Sequence, residues 1–120
     1  MTHWNRIAER TVDDVVILDL LVEGASRLDM SGRLLSRIEQ LIGDRHIKIL
    51  INLSEVRHVD SDDFGELVRG FNAARQAGGR LAFYGVGARM RDLLVATKLD
   101  DYIPVFDSEH EAVRNLATSV

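Results

Sequence analysis

The segment Ile47-Lys-Ile-Leu-Ile-Asn-Leu53 limits the possible folds more than any other stretch of this chain. Five of its seven residues are aliphatic, and such a near-continuous apolar run suits a strand covered on both faces rather than one with a wet side. Ser54 to Val59 then reads as a short connection, and Asp60-Ser61-Asp62-Asp63-Phe64-Gly65 as an acidic, hydroxyl-bearing helix start. Ser61 is expected where the chain leaves the sheet edge. In open α/β sheets that is where ligands and partners bind, outside the carboxyl ends of strands and at the following helix N-termini.

The flanking patterns extend this reading. Val15 to Val22 is rich in β-branched residues and stops at Glu23-Gly24, as a central strand ended by a turn does. Asn5 to Glu9 reads as a short edge strand ahead of a Val12-Asp13-Asp14 hairpin turn. Asp29-Met-Ser31 opens an amphipathic helix with Leu34, Leu35, Ile38, Leu41 and Ile42 on one face, ended by Gly43 and Asp44. A second helix runs from about Asp62 to Ala77 with Phe64, Leu67, Val68, Phe71 and Ala74 inward, and Gly78-Gly79 stops it. Arg80 to Gly85 gives a strand, Ala88 to Thr97 a third helix and Ile103 to Phe106 a short last strand. Ser108 and Glu111 have capping-box spacing ahead of a final helix. The order β-β-α-β-α-β-α-β-α predicts an α/β fold: a mostly parallel sheet of four to five strands with about four helices.

At 120 residues with one proline and no low-complexity stretch, the chain is expected to form one domain over residues 1–120. A net charge of −4, with 15 scattered basic residues, argues against a nucleic-acid or anionic-membrane surface and points to a protein partner. The absence of cysteine excludes disulfides and thiolate metal sites. The longest apolar run, Val15 to Val22, is broken by Asp19 and far too short to span a bilayer. A soluble cytoplasmic protein is the expectation.

No catalytic or metal-ligating constellation emerges. His3, His46, His58 and His110 are far apart, and none belongs to a ligand-spaced pair. Gly85-Val-Gly87 lacks the third glycine and the later acidic residue of a dinucleotide site. It reads as a tight strand-to-helix turn whose glycines let another backbone approach. Asp13-Asp14 and Asp19 lie too close in sequence to act as a phospho-accepting receiver triad; the first two suit a solvated turn, the third a residue pointing out of the sheet or capping a neighbour. Asp100-Asp101, Glu109 and Glu111 read as helix-terminal charges. At Asp60 to Asp63 three carboxylates surround one hydroxyl, and Asp63 with Glu66 has capping-box spacing.

From Val15 to Leu116 the sequence resembles a STAS domain of the anti-sigma factor antagonist type. The resemblance rests on Gly24, Leu28-Asp29 and Ser31, on Ile49-Leu-Ile-Asn-Leu-Ser54, on Val59-Asp60-Ser61 and Phe64-Gly65, and on Ala74-Arg75 and Ala77-Gly78-Gly79-Arg80-Leu81. It continues through Gly85-Val86, Arg89 to Leu94, Leu99 and Phe106-Asp-Ser-Glu109. It implies a non-enzymatic switch, without cofactor or metal, in which Ser61 is phosphorylated by a serine kinase that doubles as an anti-sigma factor. The unmodified protein binds that kinase, phosphorylation breaks the complex, and a serine phosphatase is a further implied partner. The surface so implied comprises Asp60, Ser61, Asp62, Asp63, Phe64, Glu66 and Leu67, extended by Asp29 and Ser31 as a second cap at the same sheet end. The Gly85–Arg89 loop adjoins it. Where the family has a small residue and then glycine, this chain has Asp62 and Asp63; either the cognate kinase is basic there, or the loop is fixed in a phosphate-like state. The alternative is a STAS scaffold or transport-associated subunit in which Ser61 is only a contact. Partner identity and oligomeric state are not specified by the sequence.

Overall fold

The computed structural model describes residues 5–22 and 30–117. Its elements are β1 (Asn5–Val12), β2 (Val15–Val22), α1 (Arg33–Gly43), β3 (Lys48–Asn52), α2 (Ser61–Gln76), β4 (Arg80–Tyr84), α3 (Ala88–Ala96), β5 (Val105–Phe106) and α4 (Glu109–Ala117). The five strands form one sheet in the order β1-β2-β3-β4-β5. β1 pairs antiparallel with β2, and the other three pairings are parallel. The α/β expectation holds, with one antiparallel edge on an otherwise parallel sheet.

The apolar runs behave as their patterning requires. Val16, Leu18, Leu20, Ile49, Ile51, Leu81 and Phe83 point to one side of the sheet, into a core shared with α1, α2 and α3. Val15, Ile17, Leu50 and Ala82 point to the other, under Ala112, Val113 and Leu116 of α4. Because β2, β3 and β4 are covered on both faces, alternation is absent from their sequences.

β1 is longer than expected, eight residues rather than five, and pairs along the whole of β2. Arg10 and Thr11 hide it in sequence because an edge strand tolerates polar residues. Its hairpin turns on Asp13 and Asp14, both at positive φ (49° and 65°), the backbone of a tight two-residue turn. Gly78, at φ 79°, and Gly79 end α2: Gly79 N–H donates to Ala74 O at 2.8 Å and Gly78 N–H to Arg75 O at 3.0 Å, a Schellman closure. Ser108 Oγ accepts from Glu111 N–H at 3.2 Å, the cap expected for α4.

Asp19 points out of the sheet on the side that carries α4, where it meets partners rather than open solvent. Arg10 donates to both its oxygens, at 2.8 and 3.1 Å, and Asn52 Nδ2 donates to Oδ1 at 2.7 Å. Arg10 also donates to Glu109 at the start of α4, so this expected helix-terminal charge ties α4 to the sheet. The Arg10 hydrogen bonds hold the Asp19 carboxyl below its ordinary range against the opposing effect of burial. A carboxylate with a lowered folded pKa contributes stability above its unfolded pKa and loses it as pH falls through the folded one. The Asp19 side chain is 15 % exposed and that of Arg10 41 %, so screening limits the gain. Asp19→Asn is expected to cost about 1 kcal/mol at pH 7. In urea melts at stepped pH the gap to the parent chain should close below about pH 4; a constant gap would show that the pair is not what the substitution removes.

Candidate functional site

Three connections meet at the carboxyl end of the parallel strands: residues 53–60 after β3, residues 85–87 after β4 and residues 30–32 ahead of α1. Gly85 makes the first two compatible. Its φ is +76°, and a Cβ there would lie 2.8 Å from the N, Cα and Cβ of Ser54. Leu53 N–H also donates to Tyr84 O at 2.8 Å, so two connections run in direct backbone contact, as the glycine turn suggested. Gly85→Ala is expected to lower stability by about 2 kcal/mol, from left-handed strain and displacement of the 53–60 connection. Chemical denaturation checks this; a change within error would show that Ser54 yields freely.

At the start of α2, Asp60 is the N-cap: its backbone is extended (φ −89°, ψ 179°) and its Oδ1 accepts from Asp63 N–H at 2.9 Å. Ser61 is the first helical residue and is exposed, as is Asp62; Asp60 is half-buried. Asp62 and Asp63 complement the positive end of the helix macrodipole. The cap therefore joins Asp60 to Asp63, not Asp63 to Glu66 as their spacing suggested.

Asp63 and Glu66 do something else. Both are buried, 6 % and 3 % exposed, within the core-facing stripe that also holds Phe64, Leu67, Gly70, Phe71 and Ala74. Asp63 Oδ1 accepts from Met30 N–H at 3.3 Å, and the Glu66 carboxylate accepts from Gly32 N–H at 2.9 Å and Leu35 N–H at 3.0 Å. The N-cap residue of α1 is Gly32 at φ 83°, with no side-chain cap of its own. A glutamate 34 residues away in sequence supplies it. The placing of Asp63 and Glu66 on a partner surface is thus corrected: burial and these hydrogen bonds commit both to holding α1 against α2. Phe64 and Leu67 lie on the inward face as their spacing predicts; at 8 % and 1 % exposure they pack the helix into the core and offer little to a partner. Ser31 is exposed at φ 50° and is not the α1 cap; Asp29, its expected companion, lies outside the described residues.

Among the described residues, those that face solvent along this edge include Ser61 and Asp62 of α2, Ser31 and Gly32 on the adjoining turn, Ser54, Glu55, Arg57 and His58 on the 53–60 connection, and Arg69 farther along α2. The role of Glu66 was missed, although the i, i+3, i+7, i+8 spacing of Asp63, Glu66, Gly70 and Phe71 already placed the two carboxylates on the inward face. The 53–59 connection and the start of α3 enclose a groove of about 240 Å³ over Leu53, Val56 and Met90, bordered by Arg57 and Arg89. A larger open concavity of about 610 Å³ runs along α4 at His110 and Arg114, on the other side of the sheet. Among the described residues no set of three His, Asp or Glu side chains is placed to hold a metal, and no helix is long and apolar enough to cross a membrane.

The sequence pattern of the STAS domain matches residues 6–112. An anti-sigma-B factor antagonist of Listeria monocytogenes is 29% identical over 111 residues, covering 92% of this chain and 95% of its own. An anti-sigma factor antagonist from Mycobacterium paratuberculosis superposes with a TM-score of 0.78 at 16% identity, over 94% of both chains. The Bacillus cell fate determinant SpoIIAA in its phosphorylated form superposes with a TM-score of 0.72 at 17% identity, over 92% of this chain and 98% of that one.

Proposed function

Because this chain belongs to the STAS domain family, we propose that it is an anti-sigma factor antagonist whose exposed α2 start binds a serine kinase acting as the anti-sigma factor, and that phosphorylation of Ser61 switches it off. The observation that carries this is the placing of Ser61. It is a solvent-facing hydroxyl on the first residue of a 16-residue helix whose turn is held from both sides. Asp60 fixes the backbone before it, and Asp63 and Glu66 anchor the helix to the 30–32 turn behind it. A hydroxyl so presented is open to a kinase without unfolding of the helix.

A phosphate there carries about −1.5 to −2 charges at neutral pH. On this chain the macrodipole offsets part of that charge, so the fold tolerates it. At a packed interface the bulk of the phosphate and the cost of desolvating its charge oppose binding. The acidic departure at Asp62-Asp63 weighs less than its sequence suggests. Only Asp62 faces solvent, since the Asp63 carboxylate is turned inward to Met30. The position next to a phosphate gains one charge rather than two, which favours a partner with a matching basic surface over a loop fixed in a phosphate-like state. A binding protein rather than an enzyme fits this surface, and the relative from Listeria bears the name of one.

Affinity capture from a lysate of the source organism with wild-type and Ser61→Glu baits tests the reading. An ATP-binding serine kinase retained by the wild-type bait alone, with phosphate on Ser61 by mass spectrometry, is the expected result. Transporter or scaffold subunits retained equally by both baits, with Ser61 unmodified, would replace it with a constitutive interaction domain.

A further inference from the structure

Ser61, Gly65 and Arg69 form an i, i+4, i+8 row on the exposed side of α2. Helical side chains lean toward the N-terminus, and Arg69 does so here. Its Nη1 lies 3.2 Å from the point a Cβ at residue 65 would occupy, and its Cζ 4.0 Å. The guanidinium therefore rests over a bare glycine, one turn, about 5.4 Å along the axis, from Ser61. Among the described residues no carboxylate forms a salt bridge with Arg69, although Asp62 stands on the same exposed side. A cation is held beside the modification position with its hydrogen-bonding capacity unspent.

We propose that Arg69 is the intramolecular receptor of the phosphate on Ser61, reaching it across the gap left by Gly65. The inference rests on the reading of Ser61 as the phosphorylated residue and adds what becomes of the phosphate once there. A planar guanidinium binds a phosphate through paired, charge-assisted hydrogen bonds, and a phosphoseryl arm and an arginine close a one-turn separation between them. Phosphorylation then changes the surface twice: it adds negative charge at the helix start and withdraws a positive one from the exposed side of α2. Arg69 also offsets the repulsion from Asp62 that a phosphate on Ser61 otherwise meets.

The test installs phosphoserine at position 61 during translation and follows the phosphorus resonance against pH in three chains: the parent, Arg69→Gln and Arg69→Lys. Free phosphoserine loses its second proton near pH 6. A neighbouring cation favours the dianion, so the midpoint is expected to be about half a unit lower in the parent than in Arg69→Gln, with Arg69→Lys between them. Equal midpoints in the parent and Arg69→Gln would overturn the proposal. Arg69 is exposed, and matching melting temperatures of the unphosphorylated chains confirm that the comparison reads charge, not folding. Since the phosphate is installed rather than transferred by a kinase, a missing Arg69 effect is distinct from a missing switch, which shows as Ser61 unmodified in the captured chain.

Discussion

Glu66→Ala is expected to lower the stability of this domain by about 3 to 4 kcal/mol and its melting temperature by roughly 10 °C or more. The Glu66 carboxylate is 3 % exposed and accepts from the backbone N–H groups of Gly32 and Leu35, the start of α1. Alanine removes the charged acceptor of both donors at a part-buried helix start. Each such loss costs about 1 to 3 kcal/mol, and α1 also loses a negative charge at the positive end of its macrodipole. Glu66→Gln keeps one acceptor oxygen and should cost about half as much. Thermal and urea unfolding of the three chains measure this directly. If Glu66→Ala and Glu66→Gln both unfold with the parent, water replaces the carboxylate and α1 does not depend on α2 for its cap.

That dependence also marks where sequence reading stopped. The β2, β3 and β4 strands were legible because burial on both faces writes itself as near-continuous apolar runs, and α1 and α2 because their apolar residues repeat at helical spacing. The position of Ser61 at the start of α2 followed from the same pattern. The duties of Asp63 and Glu66 did not, because capping rules are local and acid residues in a first turn satisfy them without any reference to another helix. Gly32 N–H and Glu66 are 34 residues apart and meet only once α1 and α2 have packed. At Gly70 that packing is close, since a Cβ there would sit 2.5 Å from Ile38 Cδ1. The Arg10–Asp19–Asn52 cluster was hidden for the same reason, for it needs the β1–β2–β3 order to exist. Burial also narrowed the surface: of the residues from Asp60 to Leu67 named as contacts, Ser61 and Asp62 are the exposed ones.

A surface so narrow sharpens what phosphorylation should do. Phosphoserine at 61 is expected to weaken binding to the captured kinase at least a hundredfold, about 2.7 kcal/mol, and Ser61→Glu to lose a large part of that affinity with one charge instead of two. Ser61→Ala should bind within about threefold of the parent, less than 1 kcal/mol, because a hydroxyl that caps nothing costs little to remove. Asp60 carries the N-cap, so these substitutions at Ser61 leave α2 intact and the loss reads the interface alone. Asp62 adds a second arm. If the partner presents basic groups to this turn, Asp62→Asn weakens association most at low ionic strength, where exposed charges act over a longer Debye length. Calorimetric titration of the kinase with each chain at two salt concentrations measures all four. Equal affinities for phosphoserine, Ser61→Glu and Ser61→Ala would move the interface away from the start of α2. A loss confined to Asp62→Asn would keep the interface there and remove Ser61 as its switch.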